Sequence, residues 1–187
     1  MPQQNLILNV QNLTKRFPGV VALNNVQLQL HEGEFLSLIG ENGAGKSTLM
    51  KILAGVQLQD EGTVEVFGQV VRMDSVKTAQ QYGIALIHQE LNLSENLSIA
   101  ANIFLGREPS KAGFIDKTTI HAEAQRFLNM VGLQIDPQTL AGNLSIGQQQ
   151  LVEIAKALSI DARILIMDEP TNHLDIRSKE VLQEALN

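Results

Sequence analysis

The stretch GENGAGKST at residues 40–48 is the feature that most constrains how this chain can fold. It matches the pattern G-x-x-x-x-G-K-[ST] at every fixed position, and this pattern forms a phosphate-binding loop when a strand precedes it and a helix follows it. The mostly apolar residues 34–39 predict that strand, and the helical spacing of apolar residues over 48–54 predicts the helix. Because both flanks are present, the sequence predicts a loop that holds a triphosphate.

The residue types in this loop suit close contact with phosphate oxygens. Gly43 and Gly45 lack the Cβ atoms that would keep backbone N–H groups away, and the start of a helix adds partial positive charge. Lys46 can neutralise the β- and γ-phosphates, and the Ser47 hydroxyl can bind Mg²⁺. The alternative is a glycine-rich turn without a ligand. The predicted nucleotide-binding residues of the loop are Gly40, Glu41, Asn42, Gly43, Ala44, Gly45, Lys46, Ser47 and Thr48.

Composition limits the function classes. With 187 residues and 44% hydrophobic content, the chain suits one domain, with or without a small subdomain. The net charge is −6 and the only adjacent basic residues are Lys15 and Arg16, so no basic stripe predicts a nucleic-acid partner. The absence of cysteine excludes disulfides and thiolate metal sites. No apolar run approaches the roughly 20 residues that span a bilayer, so we expect any membrane association to require a partner.

Strand-like stretches flank a candidate base-binding residue. Residues 6–10 are largely apolar and residues 26–30 alternate strictly, as in a half-exposed antiparallel strand. Between them, Phe17 stands beside a Pro-Gly turn and is a candidate platform for a nucleobase. A Phe that fills the core of a small sheet fits this spacing equally well. Residues 63–68 predict another alternating strand after the first helix.

Two further strands are predicted to end in polar side chains. Residues 84–87 form a short apolar stretch that ends at His88-Gln89-Glu90, and residues 163–167 form another that ends at Asp168 and Glu169. Polar groups at the ends of buried strands are common ligand sites in α/β proteins. A strand ending in Asp-Glu downstream of a phosphate loop is the expected Walker B arrangement. Asp168 is then predicted to hold Mg²⁺, and Glu169 to orient or deprotonate the attacking water.

The section at about 91–158 is mainly helical and predicts a helical subdomain inserted into the sheet domain. Asp116 can cap a helix that Gly132 ends. Ser145 and Gln148 have the spacing of a capping box, and the small, polar start of this helix offers a second anion-binding end. From this stretch alone an ordinary, well-capped helix is the favoured alternative.

Taken together, the order of these motifs resembles that of ATP-binding-cassette (ABC) ATPase domains, which hydrolyse ATP as head-to-tail dimers. The resemblance implies an α/β P-loop NTPase core with an N-terminal antiparallel β subdomain and an inserted helical subdomain. It implies that Phe17 stacks on adenine and that Gln89 senses Mg²⁺ and the transport partner. Ser145, Gly147 and Gln148 would contact the γ-phosphate bound by the other subunit. The motifs that carry it are Phe17, residues 40–48, Gln89, residues 144–148, Asp168-Glu169 and Leu174-Asp175.

Within that family, residues 88–91, 102–108 and 144–150 resemble the first ABC half of bacterial monosaccharide importers of the ribose, galactose and xylose type. The implied partners are a second ABC domain, transmembrane permease subunits and, indirectly, a periplasmic sugar-binding protein. The implied location is cytoplasmic, on the inner face of the membrane through the permease. The identity of the sugar is not encoded, because the ATPase subunit does not hold it.

Two departures limit this resemblance. Residues 172–182 resemble cytosolic ABC proteins that act on ribosomes, and the chain stops before a further strand and a switch histidine. We therefore expect residues 1–187 to form one C-terminally truncated ATP-binding domain. Three interpretations stay open: an ATP-hydrolysing importer subunit, a module that binds ATP without turnover, and a translation-associated ABC protein. The first is favoured as the ancestry of the chain, and the second is held open as the behaviour of these 187 residues.

Overall fold

The computed structural model describes residues 5–41, 43–87 and 92–167, and the chain divides into two compact units, 1–85 and 86–187. The α-helices and β-strands, in chain order, are β1 (Leu6–Phe17), β2 (Val20–His31), α1 (Lys46–Leu53), β3 (Glu61–Val66), β4 (Gln69–Val71), α2 (Val76–Gln81), β5 (Ile84–Ile87), α3 (Ile99–Phe104), β6 (Ser110–Lys111), β7 (Phe114–Ile115), α4 (Lys117–Met130), α5 (Ile146–Leu158) and β8 (Ile164–Met167). A short 3₁₀ helix, Ala141–Asn143, lies between α4 and α5.

The first unit is built on a four-stranded antiparallel sheet in the order β2-β1-β3-β4. Its buried residues include Val10 and Leu13 on β1 and Val64 and Val66 on β3. The predicted strands are confirmed, but β1 and β2 are longer than the apolar pattern indicated. Their pairing continues to Phe17↔Val20 because a two-residue connection joins them directly as a hairpin.

Of the two segments predicted to flank the phosphate loop, one is confirmed and the other is wrong. The predicted helix is confirmed as α1, with Leu49, Ile52 and Leu53 buried. The predicted strand at 34–39 is wrong: this segment has irregular backbone, and Phe35, Leu36 and Ile39 are exposed. A strand needs backbone partners on a neighbouring strand. None of the described sheets includes 34–39, so its apolar pattern alone did not produce a strand.

The second unit contains a core of three helices, α3, α4 and α5. Phe104 and Phe127 lie with ring centroids 6.4 Å apart, and Ile103, Leu128 and Ile154 are fully buried. The predicted cap of α4 is confirmed, since the Asp116 carboxylate accepts a hydrogen bond from the Thr119 N–H. The hairpin of β6 and β7 adds strand structure that the helical pattern of this section did not predict.

The two predicted strands are both present; β5 is largely buried, whereas in β8 only Ile164 is buried and the other residues are half-buried. β5 and β8 are hydrogen-bonded neighbours in a two-stranded sheet. Among the described helices, none combines the length and the apolar character that crossing a bilayer requires.

Candidate functional site

The phosphate loop leads into α1 through a glycine in the left-handed conformation. Gly45 is the N-cap residue, with φ 86° and ψ 0°, and no side chain caps the first turn. Gly43 has the same φ of 86°. Left-handed backbone favours glycine and allows successive N–H groups to face one side of a loop. A helix start without a side-chain cap is suited to receive an anion.

Lys46 places its positive charge on the loop itself. Its Nζ donates hydrogen bonds to the backbone carbonyls of Gly40, at 2.7 Å, and Glu41, at 3.0 Å. The side chain therefore folds back across the loop toward the residues that precede it. An ammonium group has three donors, so two such bonds leave one N–H direction for a phosphate oxygen. This arrangement fits a triphosphate ligand.

Gly45 also packs tightly against β2. A Cβ atom at this position would lie 2.3 Å from the Ala22 carbonyl oxygen and 2.8 Å from Leu23 Cδ2. The pairing of β1 with β2 passes from Lys15↔Leu23 to Arg16↔Val21, so Ala22 is an extra residue on β2. This contact holds the hairpin of β1 and β2 against Gly45 of the phosphate loop. The motif predicted glycine at position 45 for phosphate binding alone. It did not predict that the close contact with β2 also requires glycine there.

Phe17 is the last residue of β1 and has 38% of its surface exposed. This exposure argues against a Phe that fills the core of the sheet. The Lys15 ammonium lies over the Phe17 ring, 5.5 Å from its centroid. A partly exposed aromatic side chain on the hairpin that contacts Gly45 fits a base-stacking platform, and that role stays a prediction.

The start of α5, in the second unit, forms the predicted capping box. The Ser145 hydroxyl accepts a hydrogen bond from the Gln148 N–H at 3.4 Å, and Gln148 Oε1 accepts one from the Ser145 N–H at 3.0 Å. A Cβ atom on Gly147 would meet nothing within 4 Å. The local structure is therefore the well-capped helix that was favoured from the sequence, with open space beside Gly147. Contact with a nucleotide stays a prediction.

Several predicted site residues lie outside the described part of the chain: Asn42, Gln89, Asp168, Glu169 and the segment 172–182. The strands that lead to Gln89 and to Asp168 are present as β5 and β8. The chain just after the Gln89 segment is anchored to α5, because the Asn92 N–H donates to Glu153 Oε1 at 3.2 Å. Sequence reasoning did not predict this contact of Glu153, which is half-buried on α5.

Curated relatives align with most of the length of this chain. A family model described as ABC transporter matches residues 23–172. A putative ribose/galactose/methyl galactoside import ATP-binding protein of Burkholderia ambifaria is 54% identical over 173 residues, covering 92% of this chain and 34% of the relative. A xylose import ATP-binding protein of Geobacillus kaustophilus is 48% identical over 185 residues, covering 98% of this chain and 37% of the relative. The chain thus spans about a third of the length of these relatives.

Solved structures share the fold. The ADP conformation of an ATP-binding cassette of an ABC transporter has a TM-score of 0.79 and 26% identity, with 97% of this chain and 76% of that chain covered. A dimeric ATP-binding cassette bound to ADP and Pi, in a post-hydrolysis state, has a TM-score of 0.74 and 28% identity, with 96% and 81% covered. With the matched motifs, these likenesses confirm the predicted fold class. The chain belongs to the ABC transporter family and has the fold of its ATP-binding cassettes.

Proposed function

We propose that this chain is the nucleotide-binding part of an ATP-binding subunit of a bacterial monosaccharide importer, and that it binds and hydrolyses MgATP. The observation that carries the proposal is the position of Lys46, whose ammonium bonds two loop carbonyls at the start of a helix without a side-chain cap. The relatives are named for the import of ribose, galactose or xylose, which supports the substrate class.

In this proposal the first unit binds the base and the phosphates of the nucleotide, and the residues that follow β5 and β8 supply further metal and catalytic groups. Lys46 and the first turn of α1 hold the phosphates, because both supply positive charge and N–H donors. Phe17 stacks on adenine. Ser47, Gln89 and Asp168 hold Mg²⁺, which when bound neutralises charge on the phosphate oxygens. Glu169 accepts a proton from the attacking water, for which a carboxylate is a suitable base.

The start of α5 completes the site of a second ABC domain in a head-to-tail dimer. Ser145 and Gln148 present polar groups there, and the open space beside Gly147 allows a γ-phosphate to approach the backbone. A dimeric cassette among the similar solved structures supports this assembly. The further partners are transmembrane permease subunits and, through them, a periplasmic sugar-binding protein. The location is the inner face of the cell membrane.

The test combines binding and turnover in the parent chain and in Glu169→Gln. Titration calorimetry should show MgATP binding by both, since an amide keeps the shape of the carboxylate. Hydrolysis should fall by about 10²-fold or more in the variant, because the base is lost. Failure of the parent to bind MgATP would overturn the proposal. Binding without turnover in the parent would instead favour a module that binds ATP and does not hydrolyse it.

The transport role needs a separate measurement. We expect ATP hydrolysis by the complete importer, reconstituted in vesicles, to rise when a binding protein loaded with a monosaccharide is added. The matched control is the same binding protein without sugar. Equal rates with both would contradict coupling to sugar import.

A further inference from the structure

We propose that Asp60 is a positioning residue for nucleotide binding, because its carboxylate fixes the end of β1 so that Phe17 presents one ring face to the base. The inference rests on the proposed binding of ATP and assigns a part of that site that no nucleotide-binding motif contains. Its support comes from three hydrogen bonds of Asp60, two to its carboxylate and one from its backbone N–H, all within the first unit.

The first contacts concern the backbone beside Phe17. The pairing of β1 with β3 ends at Thr14↔Glu61. Beyond that pair, the Asp60 N–H donates to the Thr14 carbonyl at 2.9 Å, and Asp60 Oδ2 accepts from the Arg16 N–H at 2.6 Å. The side chain of Asp60 therefore accepts the hydrogen bond that the backbone of a neighbouring strand would otherwise accept. It extends the hydrogen bonding of the sheet to the residue that precedes Phe17.

The other contact concerns the ring. Asp60 Oδ1 accepts a hydrogen bond from Lys15 Nζ at 2.9 Å, and the same ammonium lies over the Phe17 ring, 5.5 Å from its centroid. The Lys15 side chain is only 16% exposed, so this geometry holds a mostly buried lysine in place. A cation over one face of an aromatic ring is attracted by the negative face of its quadrupole. A base can then stack only on the opposite face.

The charges around this group agree with that role. Hydrogen bonds from the Arg16 N–H and then from Lys15 hold the pKa of Asp60 below its usual range, so the carboxylate is charged at neutral pH. The Arg16 guanidinium has its own partner, with Nη1 at 2.7 Å from Glu61 Oε1. Asp60 is thus left to bind the backbone of Arg16 and the ammonium of Lys15.

The test separates base binding from phosphate binding in the full chain. Affinities for MgATP and for magnesium tripolyphosphate are measured for the parent, Asp60→Ala and the matched control Glu65→Ala. Glu65 also bonds across β1 and β3, to Asn9, but far from the Phe17 end of the strand. Asp60→Ala should weaken MgATP binding by about 3- to 10-fold and leave tripolyphosphate unchanged, whereas Glu65→Ala should change neither.

A double variant makes the test specific. In a Phe17→Ala background, Asp60→Ala should cause no further loss of MgATP affinity, because residues that act as a unit are not additive. Additive losses, equal losses for both ligands, or no loss at all would overturn the inference. If Asp60→Ala does not fold, Asp60→Asn replaces it; the amide oxygen still accepts from Arg16 while the charge facing Lys15 is gone, so a smaller loss is expected.

The same experiment distinguishes the two proposals. A parent chain that binds neither MgATP nor tripolyphosphate would overturn the proposed function and this inference with it. A parent that binds both, with Asp60→Ala unchanged, would overturn the role of Asp60 alone.

Discussion

The first turns of α1 and α5 differ in how they are capped. The first N–H groups of any helix lack partners within the helix. At α5 a complete capping box bonds the N–H groups of Ser145 and Gln148, whereas at α1 the N-cap is Gly45 and no side chain caps the turn. The contrast teaches that α5 is stabilised by its own sequence, while the start of α1 is suited to a ligand.

The glycines at these two helix starts also differ. Gly45 has a positive φ and no room for a Cβ atom, because the Ala22 carbonyl is in contact with it. Gly147 lies inside the first turn of α5, and a Cβ there would meet open space. The folded unit therefore needs glycine at position 45, whereas position 147 needs it only if something outside the unit approaches closely.

The largest effect should come from Gly45→Ala. The left-handed φ and the clash with the Ala22 carbonyl should together cost about 2–4 kcal/mol of unfolding free energy, measured by urea denaturation. Gly43→Ala is the matched control, because it has the same φ of 86° but nothing within 4 Å of its Cβ position. It should lose only the conformational part, about 1–2 kcal/mol. Equal losses would contradict the contact between Gly45 and β2.

Lys46→Ala should affect the ligand rather than the fold. Removal of a charge-assisted contact should weaken MgATP binding by about 1.5–3 kcal/mol, as measured by calorimetry, with little change in unfolding free energy. Lys51→Ala provides the control, since Lys51 is exposed in the last turn of the same helix and should not alter affinity. Unchanged affinity in Lys46→Ala would contradict the assignment of the phosphate loop.

Two substitutions at Ser145 should separate its capping role from its proposed contact with the nucleotide. Ser145→Ala should lose about 1 kcal/mol of unfolding free energy, because one side of the capping box disappears. Ser145→Asp should keep the cap and most of that stability, yet its charge should repel a γ-phosphate in the dimer. Denaturation and steady-state ATPase rates measure the two roles. A Ser145→Asp variant with parental turnover would limit Ser145 to capping.

The smallest change in stability is expected for Gly147→Ala. Alanine in a helix is favoured over glycine by up to about 1 kcal/mol, and the Cβ has room, so unfolding free energy should stay equal or rise. ATPase activity should nevertheless fall, since the added Cβ blocks close approach of the partner's nucleotide. A marked loss of stability would contradict the open surroundings of Gly147, and unchanged turnover would remove this residue from the proposed site.

The sequence by itself determined the features that depend on neighbouring residues. The fixed positions of residues 40–48, the spacing of Leu49, Ile52 and Leu53, and the pair Ser145 and Gln148 led directly to the phosphate loop, to α1 and to the capping box. These features were predictable because backbone conformation, amphipathic spacing and capping act over a few residues. The order of the motifs then led to the family.

Only the tertiary structure decided the features that require distant partners. The apolar residues 34–39 have the composition of a strand but no described strand beside them. The Ala22 bulge against Gly45 and the bonds from Lys15 and Arg16 to Asp60 join segments far apart in the chain. Apolar periodicity reports which face of a segment is buried, and it contains no information about which segment supplies the hydrogen-bonding partner. For that reason the contact of β2 with Gly45 of the phosphate loop could be read only from the folded unit.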